Sequence, residues 1–246
     1  ESALRSIRTD GPVNNGVNYS DFGKDRNSQL SSSLLDDVSE ITGTYSAPLG
    51  GFGMADFIFS NTLYVNENAQ GEEAGSYWND AYTDLQSALD KVAACNTLSE
   101  IRIAKGTYHP TKDAMGNNNP ADNTELTFKI NNELSIIGGF AGSEILAENE
   151  DIDLRDLTMN LSTLSGDLNG DDAANFINYE DNSALILQQA GGLTNLIIDG
   201  LTIASGNGEQ SVLITEPATI RNVILEMSKI NPSGSTLLID GANNVI

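Results

Sequence analysis

Ser183-Ala184-Leu185-Ile186-Leu187, Ser211-Val212-Leu213-Ile214-Thr215 and Ser235-Thr236-Leu237-Leu238-Ile239 begin 28 and then 24 residues apart. Each is followed by a second apolar block, Asn195-Leu196-Ile197-Ile198, Asn222-Val223-Ile224-Leu225 and Asn244-Val245-Ile246 in turn. Two strand-like blocks recurring together and in order are the pattern of a solenoid, in which each turn stacks on its neighbour and buries one continuous core. The Asn before each second block suits either a ladder of stacked side-chain amides or a bend between strands. The final repeat stops inside its second block, with Val245 and Ile246 apolar to the last residue. Terminal repeats normally carry a polar outer face, so the solenoid is expected to be truncated at this end. Further coils, another copy of the chain in an end-to-end filament, or a strand donated by residues 47–60 would cover that edge.

Towards the N-terminus the runs shorten to Leu134-Ser135-Ile136-Ile137, Leu126-Thr127-Phe128-Lys129-Ile130 and Ile101-Arg102-Ile103, broken by Gly, Asn and Asp. Before them, Ala81, Tyr82, Leu85, Ala88, Leu89, Val92 and Ala93 follow helical spacing. This predicts a helix over about 80–94, with Asn79 or Asp80 capping its first N–H groups and Asp80 and Asp84 suiting its positive end. Thr62-Leu63-Tyr64-Val65 reads as the strand that opens the domain. Residues 1–60 read as a linker or arm, rich in Ser, Asn, Asp and Gly, with one short apolar strand near Phe57-Ile58-Phe59. The chain thus divides into an arm over 1–60 and a solenoid over 61–246.

Composition narrows the function classes. A 39% hydrophobic fraction over 246 residues supports a substantial core. Thirty-five acidic against 12 basic residues, a formal charge of -23, repel nucleic acid and anionic membranes. No apolar run reaches the roughly 18 residues a bilayer span needs. The start, Glu1-Ser2-Ala3-Leu4-Arg5, lacks an initiator Met and a signal core, as in a processed or excerpted chain. Cys95 stands alone, a buried small hydrophobe or an unpaired thiol, with burial the expectation. The single His109 precedes Pro110 at an expected strand end and is read as structural, which removes most zinc and Ser-His-Asp chemistry. Acidity with 23 Gly suits a secreted, turn-rich protein in a salty or calcium-containing medium.

Several segments resemble secreted bacterial right-handed parallel β-helix repeat proteins of the pectin-lyase-like superfamily. They are Leu63 to Asn66, Gly75 to Leu89 with its Ser76-Tyr77-Trp78-Asn79-Asp80, Ile101 to Tyr108 with its Gly106-Thr107-Tyr108 turn, Ile136 to Gly142, and Thr163 to Asp167. The resemblance implies an all-β, right-handed parallel β-helix solenoid whose first strand and helix form an N-terminal cap, burying Leu85, Leu89 and Val92. It specifies the fold and leaves the activity open, because the superfamily includes adhesins, structural proteins and carbohydrate-active enzymes.

Each chemistry can be tested on the residues. Lyases use Lys or Arg as base near calcium; Lys105, Lys112, Lys129, Arg155, Arg221 and Lys229 do not fall in matching positions of adjacent repeats. Galacturonase-type hydrolases cluster Asp as acid and base. Asp171 and Asp172 are the only adjacent Asp pair in the solenoid and would be the catalytic residues of an enzyme. The accompanying Gly-His-Gly and Arg-x-Lys patterns are absent. Asp167, Asn169 and Asp171 present oxygens at alternate positions, as at the start of a calcium loop. Asp172 stands where that loop has glycine, and Glu180 lies two residues beyond its twelfth position. A solvated Asp-rich loop is the competing reading, as it is for Glu144, Glu148, Glu150, Asp151, Asp153 and Asp156. Tyr77, Trp78 and Tyr82 suit either a sugar-stacking platform or packing of the cap helix against the first coil.

The expectation is a non-catalytic extracellular structural or adhesive surface protein. The alternatives are a polysaccharide hydrolase or lyase and a calcium-dependent glycan-binding module. Expected partners are extracellular polysaccharide or neighbouring copies of the chain, and Ca2+ is the one expected ion.

Overall fold

A computed structural model describes residues 61–95, 97–144, 152, 155–226 and 228–229, together with the backbone of 237–239. The arm over 1–60, its strand at Phe57-Ile58-Phe59, the final block at Asn244-Val245-Ile246 and the end of the last coil lie outside the described residues. No described helix is long and apolar enough to cross a membrane.

The described chain is mostly β-structure in three parallel sheets, with one α-helix. The first sheet runs β1 (Thr62–Val65), β2 (Glu100–Ala104), β5 (Ser135–Phe140), β8 (Leu196–Asp199) and β11 (Ala218–Arg221). The second takes β3 (Gly106–Tyr108), β6 (Ser162–Ser165), β9 (Leu201–Ala204) and β12 (Ile224–Glu226). The third takes β4 (Phe128–Ile130), β7 (Leu187–Gln189), β10 (Val212–Ile214) and β13 (Leu237–Ile239). From β2 onward each passage of the chain visits the sheets in the same order, and every ladder between named strands is parallel.

Register aligns like residues in rows. Leu63, Ile101, Ile136, Ile198 and Ile220 face one another across the first sheet, all buried in a single core. Tyr108, Leu164, Ile203 and Leu225 form the corresponding row of the second sheet, and Phe128, Leu187 and Val212 that of the third. Alternate residues point outward, and burying each aliphatic side chain contributes about 1.5–3 kcal/mol. An apolar hollow of about 170 Å³ lies between Ile198, Ile203, Val212 and Ile220 of this core and Val223 and Leu225.

Two details of the repeat differ from expectation. The first blocks pair Leu187 with Val212 and Val212 with Leu237, so both register steps are 25 residues rather than 28 and 24. The second blocks are not equivalent. Asn195-Leu196-Ile197-Ile198 belongs to the first sheet, where its partner is Ala218 to Ile220, whereas Ile224 and Leu225 pair with Thr202 and Ile203 in the second. The reason is the corner between these sheets. Gly200, φ +71°, and Asn222, φ +53°, both turn through the left-handed region there, which Gly and Asn tolerate best. Asn222 is therefore a bend residue, and its Nδ2 donates to Asp199 Oδ1 at 2.8 Å; it forms no amide ladder with Asn195.

The helix α1 spans Leu85–Ala94, starting later than predicted. Tyr82 forms a parallel bridge with Val65, which holds that stretch extended, while Trp78–Asp80 makes a separate 3-10 turn. Asp84 is the N-cap instead of Asn79 or Asp80: its carboxylate accepts from Ser87 N at 2.8 Å and Ser87 Oγ at 2.7 Å. Leu85, Ala88, Leu89 and Val92 pack into the main core. Cys95 caps the C-terminal end and is half-buried rather than buried, its Sγ 3.3 Å from Thr97 Oγ1. His109 directly follows β3, as expected of a strand-end residue.

Candidate functional site

The outer face of the first sheet carries a second core of Tyr64, Trp78, Ala81, Ala104, Ile137 and Phe140. Trp78 packs edge-on to Tyr64, 4.8 Å between centroids, and tilted against Phe140 at 5.3 Å. It therefore covers the sheet from outside instead of joining the helix to the first strands, and at 2% exposure offers no open ring face. Tyr82 sits elsewhere, against the main core, so the three aromatic residues form no common platform. The same outer face holds a buried ion pair. Asp199 Oδ2 accepts from Arg155 Nη2 at 2.8 Å and from Arg221 Nε at 3.1 Å. The Arg155 guanidinium also donates to the Gly138 carbonyl at 2.8 Å and lies over the Phe140 ring.

The acidic loop leaves β6 through Gly166, where a Cβ would meet the Ser205 carbonyl oxygen at 2.4 Å. Asp167 then organises the turn. Its Oδ1 accepts from Gly170 N at 2.7 Å and Asp171 N at 3.2 Å, and its Oδ2 from Asp172 N at 3.3 Å. The loop returns with Asn178 donating to the Asp171 carbonyl at 2.9 Å. Asn182, fully buried, donates to both Asp172 carboxylate oxygens at 3.1 and 2.9 Å and to the Ser205 carbonyl at 2.8 Å.

Asp167, Asp171 and Asp172 each bring one carboxylate oxygen within 4.8 Å of the others. Of the expected trio, Asp167 and Asp171 thus converge, while Asn169 donates its amide to Asp181 instead. Asp172 occupies the third place, because the turn that Asp167 caps brings the backbone of 170–172 back over its carboxylate. Glu180 lies outside the cluster, facing Lys229 at 4.0 Å. Desolvation within the loop, and then the charges of Asp181, Asp167 and Asp172, hold the Asp171 carboxyl above the usual range.

Of the basic residues considered for lyase chemistry, two meet on one carboxylate and two lie with other partners. Lys112 pairs with Asp90, Lys129 donates to the Ala114 carbonyl, and Arg155 and Arg221 share Asp199. The pair Asp171 and Asp172 lies together in the acidic loop. Sequence reasoning missed Asp172 as a converging group, and it missed the Arg155–Asp199 pair, whose members lie 44 residues apart. The chain matches no family model, no curated protein and no solved structure.

Proposed function

We propose that the chain is a right-handed parallel β-helix with an N-terminal capping helix, of the pectin-lyase-like kind, and serves as a non-catalytic extracellular structural or adhesive surface protein. The observation that carries this reading is the repeated order of the three parallel sheets, with aliphatic rows running through every passage. Parallel crossovers are right-handed in nearly all proteins, and a stack of this kind makes a rod suited to display. In support of a cap, α1 sits beside β1, an edge strand of the first sheet, and buries its apolar face in the core. Antibody raised to the chain should label intact producing cells, and the purified chain should leave neutral and uronate-containing polysaccharides uncut. Labelling only after lysis, or turnover that disappears in Asp171→Asn or Asp172→Asn, would overturn the reading in favour of an intracellular protein or an enzyme.

Calcium dependence is the second reading, favoured by the convergence of Asp167, Asp171 and Asp172. Calcium–oxygen distances of about 2.3–2.6 Å allow one ion to bridge oxygens no further apart than these. The ion would offset the like charges that raise Asp171. Without it, Asp171 titrates higher in the folded chain than in the unfolded one, so its ionisation opposes folding. That penalty is full at neutral pH and is relieved as pH falls through the folded value. Asp171→Asn is therefore expected to raise the melting temperature in chelator at pH 7, and calcium to raise that of the parent chain but not of the variant. Equal melting temperatures of the parent chain with calcium and with chelator would return the loop to a solvated, ion-free role.

A further inference from the structure

We propose that the tip of the acidic loop is a docking knob, whose Phe176 and Ile177 enter an apolar pocket on a cationic polypeptide. The chain turns through Ala174, Asn175 and Phe176, and an antiparallel bridge between Ala173 and Ile177 closes the turn. Phe176 is 45% and Ile177 55% exposed there. Single apolar residues scattered over a surface are ordinary. These two are neighbours in the chain, held together at one tip.

The backbone gives the reason to look for a partner. Asn175 and Phe176 both lie in the left-handed region, at φ +64° and +59°. Asn tolerates that region, but a bulky side chain rarely adopts it and glycine is the ordinary choice. Such strain persists only where the surroundings impose it, and it concentrates at sites that act on other molecules. Three contacts impose it here. Ala173 N donates to the Ile177 carbonyl at 3.0 Å, and Asn178 Nδ2 to the Asp171 carbonyl at 2.9 Å. The Phe176 ring rests edge-on against buried Tyr179, 5.1 Å between centroids. The sequence thus sets a large aromatic side chain where the backbone favours none, and the loop holds it half in solvent. Rigid aromatic anchors of this kind dominate the binding energy of interfaces.

Charge identifies the occupant. Asp167, Asp171, Asp172, Glu180 and Asp181 flank the tip in the chain, and among the described residues their one ion pair is Glu180 with Lys229, at 4.0 Å. Lysine or arginine side chains brought beside this collar match it in sign, which steers encounter and suppresses other partners. They would also relieve the Asp171 carboxyl, which desolvation and then the neighbouring carboxylates hold above the usual range. A second copy carries the same charge of -23, and nucleic acid and anionic lipid are repelled as well. A Lys- or Arg-rich segment with an apolar pocket or side chain matches both the knob and its collar. The proposal does not rest on calcium, which would compete for the same carboxylates, so chelator is present throughout the test.

The full chain is titrated into three fluorescent peptides of equal length, built from Lys and Leu, from Lys and Ser, and from Glu and Leu, and anisotropy is read. The Lys/Leu peptide should bind about tenfold or more tightly than the Lys/Ser peptide, the gain from burying one or two apolar side chains. The Glu/Leu peptide should not bind. Phe176→Gly and, separately, Ile177→Ser should each weaken Lys/Leu binding by about tenfold. Asp171→Asn with Glu180→Gln should weaken both cationic peptides and flatten their salt dependence. Glycine relieves the left-handed strain as it forfeits the Tyr179 contact, so Phe176→Gly should melt within about 4 °C of the parent chain. Equal affinities for the two cationic peptides, or unchanged Lys/Leu affinity in either tip variant, would overturn the proposal and leave attraction by net charge alone. A larger fall in the melting temperature of Phe176→Gly would overturn it by making Phe176 a packing residue for Tyr179. Binding of phosphatidylcholine vesicles that the tip variants lose would overturn it in favour of a lipid surface.

Discussion

Replacing Asp199 by alanine is expected to destabilise the chain by about 3–5 kcal/mol, the usual cost of breaking a buried ion pair by removing one partner. Asp199 has no exposed surface, and the Arg155 side chain is only 5% exposed. With the carboxylate gone, the Arg155 guanidinium would remain in place with only carbonyl groups and the Phe140 ring to receive it. Neither neutralises a charge. Asn222 Nδ2 would lose its acceptor as well. Arg221 makes an informative contrast, because it touches the same carboxylate but is 51% exposed; Arg221→Ala should cost no more than about 1 kcal/mol. Urea unfolding of both variants measures the difference. Equal losses would show that the pair contributes as a surface contact, and that packing on Phe140 holds this face instead.

The parallel β-architecture is legible in the sequence because its cause is local and repeated. Leu185-Ile186-Leu187 and Val212-Leu213-Ile214 carry β-branched or apolar residues at a spacing that returns each strand to the same sheet, and the structure pairs Leu187 with Val212. Register was less legible. The sequence shows apolar blocks but not which of two adjacent sheets receives each, and the decision falls to corner residues such as Gly200 and Asn222. The helix boundary shifted for a related reason. Ala81 and Tyr82 satisfy helical spacing, yet Tyr82 N donates to the Tyr64 carbonyl at 2.9 Å, a tertiary contact invisible to periodicity.

The candidate sites divide along the same line. That Asp167 and Asp171 lie close together was legible, because side-chain spacing along one loop is a local property, whereas Asn169 of the same expected trio turns to Asp181. Asp172 was read only as the partner of Asp171 in an acid–base pair; its approach to Asp167 was not legible, because it depends on backbone N–H groups folding over the Asp167 carboxylate. Trp78 illustrates the opposite error: an aromatic residue beside two tyrosines suggests an exposed platform, but burial against Phe140, 62 residues later in the chain, hides its ring.

Phe128→Ala should cost about 3–5 kcal/mol, the range for removing a large buried aromatic side chain. Phe128 is fully buried in β4, between Leu187 on the neighbouring strand and the core shared with α1. Its backbone N donates to the Ile186 carbonyl at 2.8 Å, so the ladder fixes the strands around it and limits collapse into the space left. Ile224, 48% exposed on β12, is the matching control, and Ile224→Ala should stay within about 0.5 kcal/mol of the parent. The location of the loss matters as much as its size. β4 is the edge strand of the third sheet, next to β7, and in the proposed stack each passage contacts only its neighbours. Hydrogen exchange in Phe128→Ala should then quicken in β1, β2, β4 and α1 while β9 to β12 keep most of their protection. Uniform loss across all three sheets would mean that the aliphatic rows couple the whole stack into one cooperative unit, and that its length cannot be changed one passage at a time.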